Sequence, residues 1–404
     1  MSRPLLLGID EGTSAVKAVL YDTDLRTQAE ARREKPLAHP RAGWVEQDPN
    51  YVLVAVVDAV GELLAATDDE VVACGLDHQG ESVLAWDAES GEPLTPIVTW
   101  QDKRSQEVLD RLEADGSDAE VRERSGMPLD PYFSAGKLTW LLEHEPAVQR
   151  ALDAGTLRLG TVDSWLCDVL GSGFATDPST ASRTQLSAPG EPDWDPRLLE
   201  LFGVPRDSLP AIRDSVGDLG VLRHPGWDRE LPLRAQVVDQ QAALAGAGCV
   251  EPGRVKATYG TGVFVLAHAG TARPEPSEGG LLPTVAWRVD GRVDYALDGG
   301  VFTAGALLEW LSRDSGSRQT RRRWPRSPHT WTTAPASACF RRSPVWAHPG
   351  GGPGRPRSSQ GSPDALVRDT WRGPRSRPSR GGSQTSSRWS RSTPSRRPSG
   401  STGG

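Results

Sequence analysis

Residues 5–22, LLLGIDEGTSAVKAVLYD, decide the fold. Leu5–Asp10 and Val16–Asp22 are short apolar runs with β character, and the small residues Glu11-Gly12-Thr13-Ser14-Ala15 between them read as a hairpin turn. At its tip, Asp10-Glu11-Gly12-Thr13-Ser14 lets backbone N–H groups approach an anion while hydroxyls donate to it, and Lys17 adds a positive charge. An acid-Gly-Thr turn is, taken singly, mostly just a turn. A second loop of the same kind, Tyr259-Gly260-Thr261-Gly262, lies between the apolar runs Val255–Tyr259 and Val263–His268. Two such loops on separate hairpins suit a nucleotide gripped between two lobes.

Outward from the hairpin, residues 51–66 carry apolar groups at helical spacing behind Asp48-Pro49-Asn50, which predicts an N-capped helix. Val71–Leu76 and Ser82–Trp86 read as strands around the polar Asp77-His78-Gln79-Gly80-Glu81, and Lys137–Leu142, Ser164–Leu170 and Gln240–Ala247 as helices. This alternation marks an α/β protein. Asp239 stands where an apolar strand, ending in Val237-Val238, meets the Ala-rich helix. Spacing favours a helix N-cap there, with a general base in the mouth of a cleft as the functional alternative. Trp100-Gln101-Asp102-Lys103-Arg104 and Asp130-Pro131-Tyr132-Phe133 are polar-aromatic clusters of the kind that line polyol pockets or make packed corners.

Charge divides the chain. Residues 313–404 hold 19 arginines and no lysine against Asp314, Asp364 and Asp369, a balance of +16, so residues 1–312 carry −23 of the overall −7. So acidic a body repels polyanions, which excludes nucleic acid as its default partner. Cys74, Cys167, Cys249 and Cys339 are far apart, and the histidines show no metal spacing, so neither a disulfide framework nor a zinc site is expected. A reducing cytoplasm fits this usage, and no apolar run approaches the ~20 residues of a membrane span.

In collinear order GIDEGTSAVKAVLYD (8–22), GWVEQDP (43–49), IVTWQDKR (97–104), DPYFSAGKLTWLL (130–142), VDSWL (162–166), ATDPSTASRTQL (175–186), VDQQAALAG (238–246), YGTGVF (259–264) and DGGVFTAGALLEWL (298–311) resemble the FGGY carbohydrate kinase family, most closely its glycerol-phosphorylating branch. The resemblance implies an actin-like, ribonuclease-H-like α/β fold of two lobes around a cleft holding ATP and Mg2+. It implies lobes over residues 1–245 and 246–312, and transfer of phosphate to a small polyol, glycerol first and erythritol, xylitol or xylulose as alternatives. Carried over, Asp239 resembles the catalytic base and Asp10 the acid that holds magnesium through water. Thr13, Ser14 and Lys17 resemble the first phosphate loop, Gly260 and Thr261 the second, and Gly305 a nucleotide-contacting glycine. The polyol contacts would be Glu81, Trp100, Tyr132, Asp239, Gln240 and Phe264. A homo-oligomer is compatible with the resemblance.

Two departures stand out. Where the glycerol branch carries an arginine before the substrate-binding glutamate, this chain has Gly80, which donates nothing by side chain and leaves room for a longer polyol. Residues 313–404 contain only Phe340, Val345, Leu366 and Val367 among Leu, Ile, Val and Phe, too few for a core, so a disordered basic tail is one expectation. Another is a frameshift near Ser312. Pro344–Gly352 in GC-rich codons, read from the third base, gives Gly-Leu-Gly-Ala-Pro-Trp-Trp-Arg, and Gly400–Gly404 gives Val-Asp-Gly-Gly, two stretches that the family carries in that order. A shifted GC-rich frame produces Arg, Pro, Gly and Ser without selection, which weighs against a nucleic-acid-binding tail. If the adenine-binding region is missing, a catalytically dead polyol-binding remnant is the competing expectation.

Overall fold

Leu5, Leu7 and Ile9 alternate along the first strand and are all buried, the period-two pattern that seats one sheet face on a helix layer. The computed structural model describes residues 3–259, 263–275, 280–301 and 334–335. In chain order come β1 (Pro4–Glu11), β2 (Ala15–Tyr21), β3 (Thr27–Glu34), β4 (Glu46–Gln47), α1 (Pro49–Ala65), β5 (Glu70–His78), β6 (Val83–Asp87) and β7 (Ile97–Val98). Next are α2 (Gln106–Ala114), α3 (Asp118–Ser125), α4 (Ser134–His144), α5 (Pro146–Ala154), β8 (Leu157–Thr161), α6 (Val162–Val169), β9 (Ala175–Thr176), α7 (Pro178–Ala181) and α8 (Pro196–Phe202). The series continues with β10 (Ala211–Ile212), β11 (Val221–Leu222), β12 (Leu231–Val238), α9 (Asp239–Gly246), β13 (Arg254–Tyr259), β14 (Val263–Gly270), β15 (Leu282–Val289), β16 (Arg292–Val301) and β17 (Ala334–Pro335).

Helix α1 forms where the spacing predicts it. The Asp48 carboxylate accepts from Asn50 N at 2.9 Å, Pro49 opens the first turn, and Val52, Val56, Ala59, Val60 and Leu63 make one buried face. That face packs with Leu5, Leu7, Val16, Leu20 and Leu76 in one core, where each fully buried aliphatic side chain contributes about 1.5–3 kcal/mol.

The sheet order β11-β12-β5-β1-β2-β3 positions the site. β1, β2 and β3 form an antiparallel meander, whereas β1, β5 and β12 run parallel. Their register sets Asp10 and Val237 on either side of Asp77, and Glu11 and Val238 on either side of His78. Three parallel strands therefore end together, and ligands of α/β sheets bind beyond such carboxyl ends. A second sheet, β15-β16-β14-β13-β17, follows α9, whose Leu244 packs with Leu266, Ala286 and Ala296. A smaller sheet, β4-β7-β6-β8, carries the α2–α5 region through a core that includes Leu109, Leu138 and Leu159.

One expectation is corrected. Asp239 does not cap α9: Val238 is the N-cap residue, no side chain makes a capping bond, and Asp239 is the first helical residue. Its carboxylate is thus left available for other work. Gly260, Thr261, Gly305 and the segment 313–404, apart from the backbone of β17, lie outside the described residues.

Candidate functional site

The turn after β1 is held from behind by a buried polar network. Gly12 sits close against its neighbours: a Cβ there would stand 3.2 Å from Asp10 Oδ1 and 3.4 Å from the Ala15 carbonyl oxygen. Gln47 Nε2 donates to the Thr13 carbonyl at 2.7 Å, and Gln79 Nε2 donates to Gln47 Oε1 at 2.8 Å and to Glu11 Oε1 at 3.0 Å. Lys35 closes the network as a fully buried ion pair with Glu11, and its backbone N–H donates to the Ser14 carbonyl at 2.8 Å. The carbonyls of Thr13 and Ser14 are thus tied to Gln47 and Lys35, which holds the turn in one conformation. Lys17 stands across from Asp10 in register and pairs with Glu30 at 3.2 Å. Sequence reading overlooked Lys35 and Glu11 as supports; a lysine at the end of the polar strand β3 carries no signal without the register that brings it there.

Beyond β5 the chain turns sharply, with Glu81 in the left-handed region at φ 58°. Gly80 packs on β12: a Cβ would meet Val238 Cγ1 at 3.2 Å. Glu81 is buried, and its Oε1 accepts from Arg183 Nε at 2.7 Å. Burial pushes the Glu81 carboxyl up, against the lowering pull of Arg183. Lys137, itself fully buried, donates to the carbonyls of Glu81 (3.3 Å), Tyr132 (2.6 Å) and Phe133 (2.9 Å), and burial lowers its ammonium to about 7. One cation thereby fixes two predicted polyol contacts through their backbones. The rings of Trp100 and Tyr132 meet edge-on at 5.7 Å, and Trp100 Nε1 donates to the Thr13 hydroxyl at 2.9 Å. The rest of the Trp100 cluster is a packed corner: Arg104 pairs with Asp102 and Glu46 and lies 3.9 Å over the Trp44 ring.

Asp239 is half-buried at the start of α9. Burial, then the negative Glu81, raises its carboxyl to about 6, against the pull of His78 and Lys256. Asp77 is held well above the usual carboxylate range by burial and by Asp10 and Asp239, and it is hydrogen-bonded to Asp10. Lys256 Nζ donates to Gln240 Oε1 at 2.8 Å, which leaves the Gln240 amide nitrogen toward Asp239 Oδ2 at 3.5 Å. Burial brings Lys256 down to about 8, opposed by the charges of Asp239 and Asp298. Phe264 lies on β14 between Thr258 and Gly300 in register, and a Cβ on Gly300 would come 3.0 Å from its ring. Hydrogen bonds, ring contacts and charge interactions thus join Thr13, Trp100, Tyr132, Glu81, Asp239, Gln240 and Asp10, and Phe264 lies on β14 beside Gly300. Arg183, Lys137 and Lys256 were absent from the sequence-based candidates. Among the described residues, no three His, Cys, Asp or Glu side chains form a metal-binding group, and no helix is long and apolar enough to cross a membrane.

Residues 5–246 match the model of the FGGY family of carbohydrate kinases, N-terminal domain. A glycerol kinase of Rhodospirillum centenum is 42% identical over 323 residues, covering 79% of this chain and 65% of its own. One of Alkalilimnicola ehrlichii is 44% identical over 315 residues, covering 76% and 63%. Among solved structures, Plasmodium falciparum glycerol kinase with ADP superposes with a TM-score of 0.74 at 28% identity, over 78% of this chain and 64% of that one. This chain therefore spans just under two thirds of the length of these relatives. The expected actin-like ATPase fold is the fold of these kinases. With its N-terminal domain matched from the first strand through α9, the chain belongs to the FGGY family of carbohydrate kinases.

Proposed function

We propose that this protein transfers the γ-phosphoryl group of ATP to a hydroxyl of a small polyol, glycerol to glycerol 3-phosphate in the first instance. The observation that carries this reading is the placement of Asp239: a carboxylate raised to about 6, uncapped, beside Glu81 at the ends of three parallel strands. Such a base is ionised at neutral pH and basic enough to accept a hydroxyl proton. As that proton passes to Asp239, the hydroxyl oxygen bonds to the γ-phosphorus, the bond to the β–γ bridging oxygen breaks, and ADP leaves. Positioning and charge supply most of the catalysis in such transfers. Glu81, Trp100, Tyr132, Gln240 and Phe264 would hold the polyol, and Thr13, Ser14 and Lys17 the phosphates. Gly260, Thr261 and Gly305 would complete the nucleotide site.

Asp10, the acid that the resemblance assigns to magnesium, is hydrogen-bonded to Asp77 at these strand ends and would hold the ion there. Mg2+ held there would neutralise charge developing on the phosphates. Residues 1–245 would form the polyol and phosphate lobe and 246–312 the start of the nucleotide lobe. Relatives named as glycerol kinases at 42% and 44% identity support glycerol, and Gly80 supports a longer polyol as the second reading. The composition of residues 313–404 supports a third, a silent polyol binder encoded in a shifted frame. The protein would act on small molecules in the cytoplasm. ADP release assayed with ATP, Mg2+ and glycerol, erythritol, xylitol or xylulose tests this function. Polyol-dependent release is expected; release that ignores every polyol, from a protein that binds none of them, would sink it.

A further inference from the structure

Arg183 follows α7 and is 4% exposed, yet it meets two carboxylates from distant parts of the chain. Its Nε donates to Glu81 Oε1 at 2.7 Å, 102 positions away in sequence, and its Nη2 pairs with Asp298 Oδ2 at 2.9 Å. Glu81 belongs to the turn beyond β5 in the first sheet, and Asp298 lies on β16 in the second. The guanidinium also sits 5.7 Å from the Tyr132 ring centroid and 5.5 Å from that of Phe133. Its third nitrogen, Nη1, is buried with no hydrogen-bond partner.

We propose that Arg183 is a positioning residue of the acceptor pocket: it orients the Glu81 carboxylate and ties that turn to β16, so that polyol binding and the seating of the second sheet are coupled. Glu81 needs such a device, because a non-glycine residue at φ 58° is held only when its surroundings over-determine it. With glycine at 80, the guanidinium on Glu81 comes from position 183 and not from the neighbouring residue. A planar fork can hold two carboxylates at fixed angles, which an ammonium cannot. Lys137 grips the same turn only through its carbonyl, so it fixes the backbone while Arg183 fixes the side chain.

This inference rests on the polyol-binding reading above, and its test separates the two. The full 404-residue chain, its Glu81→Gln, Arg183→Gln, Arg183→Lys and Asp298→Asn variants, and the Glu81→Gln/Arg183→Gln pair are titrated with glycerol, erythritol and xylitol by calorimetry. The charge-neutral pair guards against misfolding, since it leaves no carboxylate at position 81 buried beside a missing cation. Arg183→Gln is expected to weaken binding of the preferred polyol by at least about tenfold, with partial rescue by lysine. Asp298→Asn, which leaves Glu81 and Arg183 paired, is expected to weaken it by a smaller factor, and the double variant by less than the product of its two single effects. A parent that binds no polyol removes the acceptor reading and the clamp with it. A parent that binds, with a folded Arg183→Gln binding within about twofold of it, or with the neutral pair weakened by the full product of its two single effects, removes the clamp alone.

Discussion

Trp100 Nε1 donates to the Thr13 hydroxyl across 2.9 Å, so a proposed polyol contact and a proposed phosphate contact share a wall. The same Trp100 meets Tyr132 edge-on, and its backbone N–H donates to the Ser82 hydroxyl oxygen at 3.1 Å. Phosphoryl transfer depends on the distance between acceptor oxygen and phosphorus, and this bond fixes one side of that distance. Trp100→Phe keeps the ring surface and deletes the donor. Turnover is expected to fall by about five- to thirtyfold, with polyol affinity changed less, because the loss is one hydrogen bond's worth of alignment. Steady-state kinetics with polyol and ATP varied separately checks this; equal, additive losses in both KM values with kcat intact would show that the bond serves binding alone.

The acidic limb of the rate profile follows from Asp239. Its carboxyl is raised to about 6 by burial and by Glu81, and the active form of a base is the deprotonated one. kcat/KM for the polyol is therefore expected to be flat above pH ~6 and to fall about tenfold per unit below it. Glu81→Gln removes a neighbouring negative charge and should move that midpoint downward, even as it weakens polyol binding. A midpoint near the ordinary carboxylate value of about 4 in the parent would contradict the assignment.

Specificity turns on Gly80. A Cβ at this position would press on Val238 Cγ1 at 3.2 Å, directly before the proposed base Asp239, so Gly80→Ala measures the steric cost alone. Gly80→Arg adds donors and removes volume, and is expected to shift the ratio of specificity constants toward glycerol over erythritol and xylitol by about tenfold or more relative to Gly80→Ala. An unchanged ratio across the three proteins would show that position 80 does not set substrate length.

Much of this architecture is legible in the chain. The hairpin of β1 and β2, helix α1 and the strands flanking Gly80 announce themselves by period and caps, and the family resemblance names the acids. What the sequence hides is what the register creates. β3 reads TQAEARRE, with only Ala31 buried, so its polar face masks a strand that delivers Lys35 to Glu11. Asp239 looks like a cap because caps and first-turn acids share residue types; only the backbone angles of Val238 separate them. Arg183 is invisible because its partners lie 102 positions before it and on β16, and no local pattern encodes a bridge between two sheets.

The frame of the gene is a separate matter of record. Resequencing across codon 312 is expected to show a base gained or lost, after which the translation contains Gly-Leu-Gly-Ala-Pro-Trp-Trp and, further on, Val-Asp-Gly-Gly. The restored protein should release ADP with polyol at a far higher rate than the 404-residue chain. An unaltered frame, together with robust turnover by the 404-residue chain, would mean that the arginine-rich segment is genuine and supports activity.

In the frame-restored protein, Asp239→Asn bears most directly on the chemistry. The amide keeps shape and hydrogen bonding but cannot take the proton, so turnover is expected to fall by about 10²–10⁴-fold. Polyol affinity, measured by calorimetry on the same preparation, should stay within about threefold of the parent, the pattern of a group that acts in the transition state. Turnover within about threefold of the parent, with the polyol still bound, would remove Asp239 as the base and with it the phosphoryl-transfer mechanism built on these strand ends.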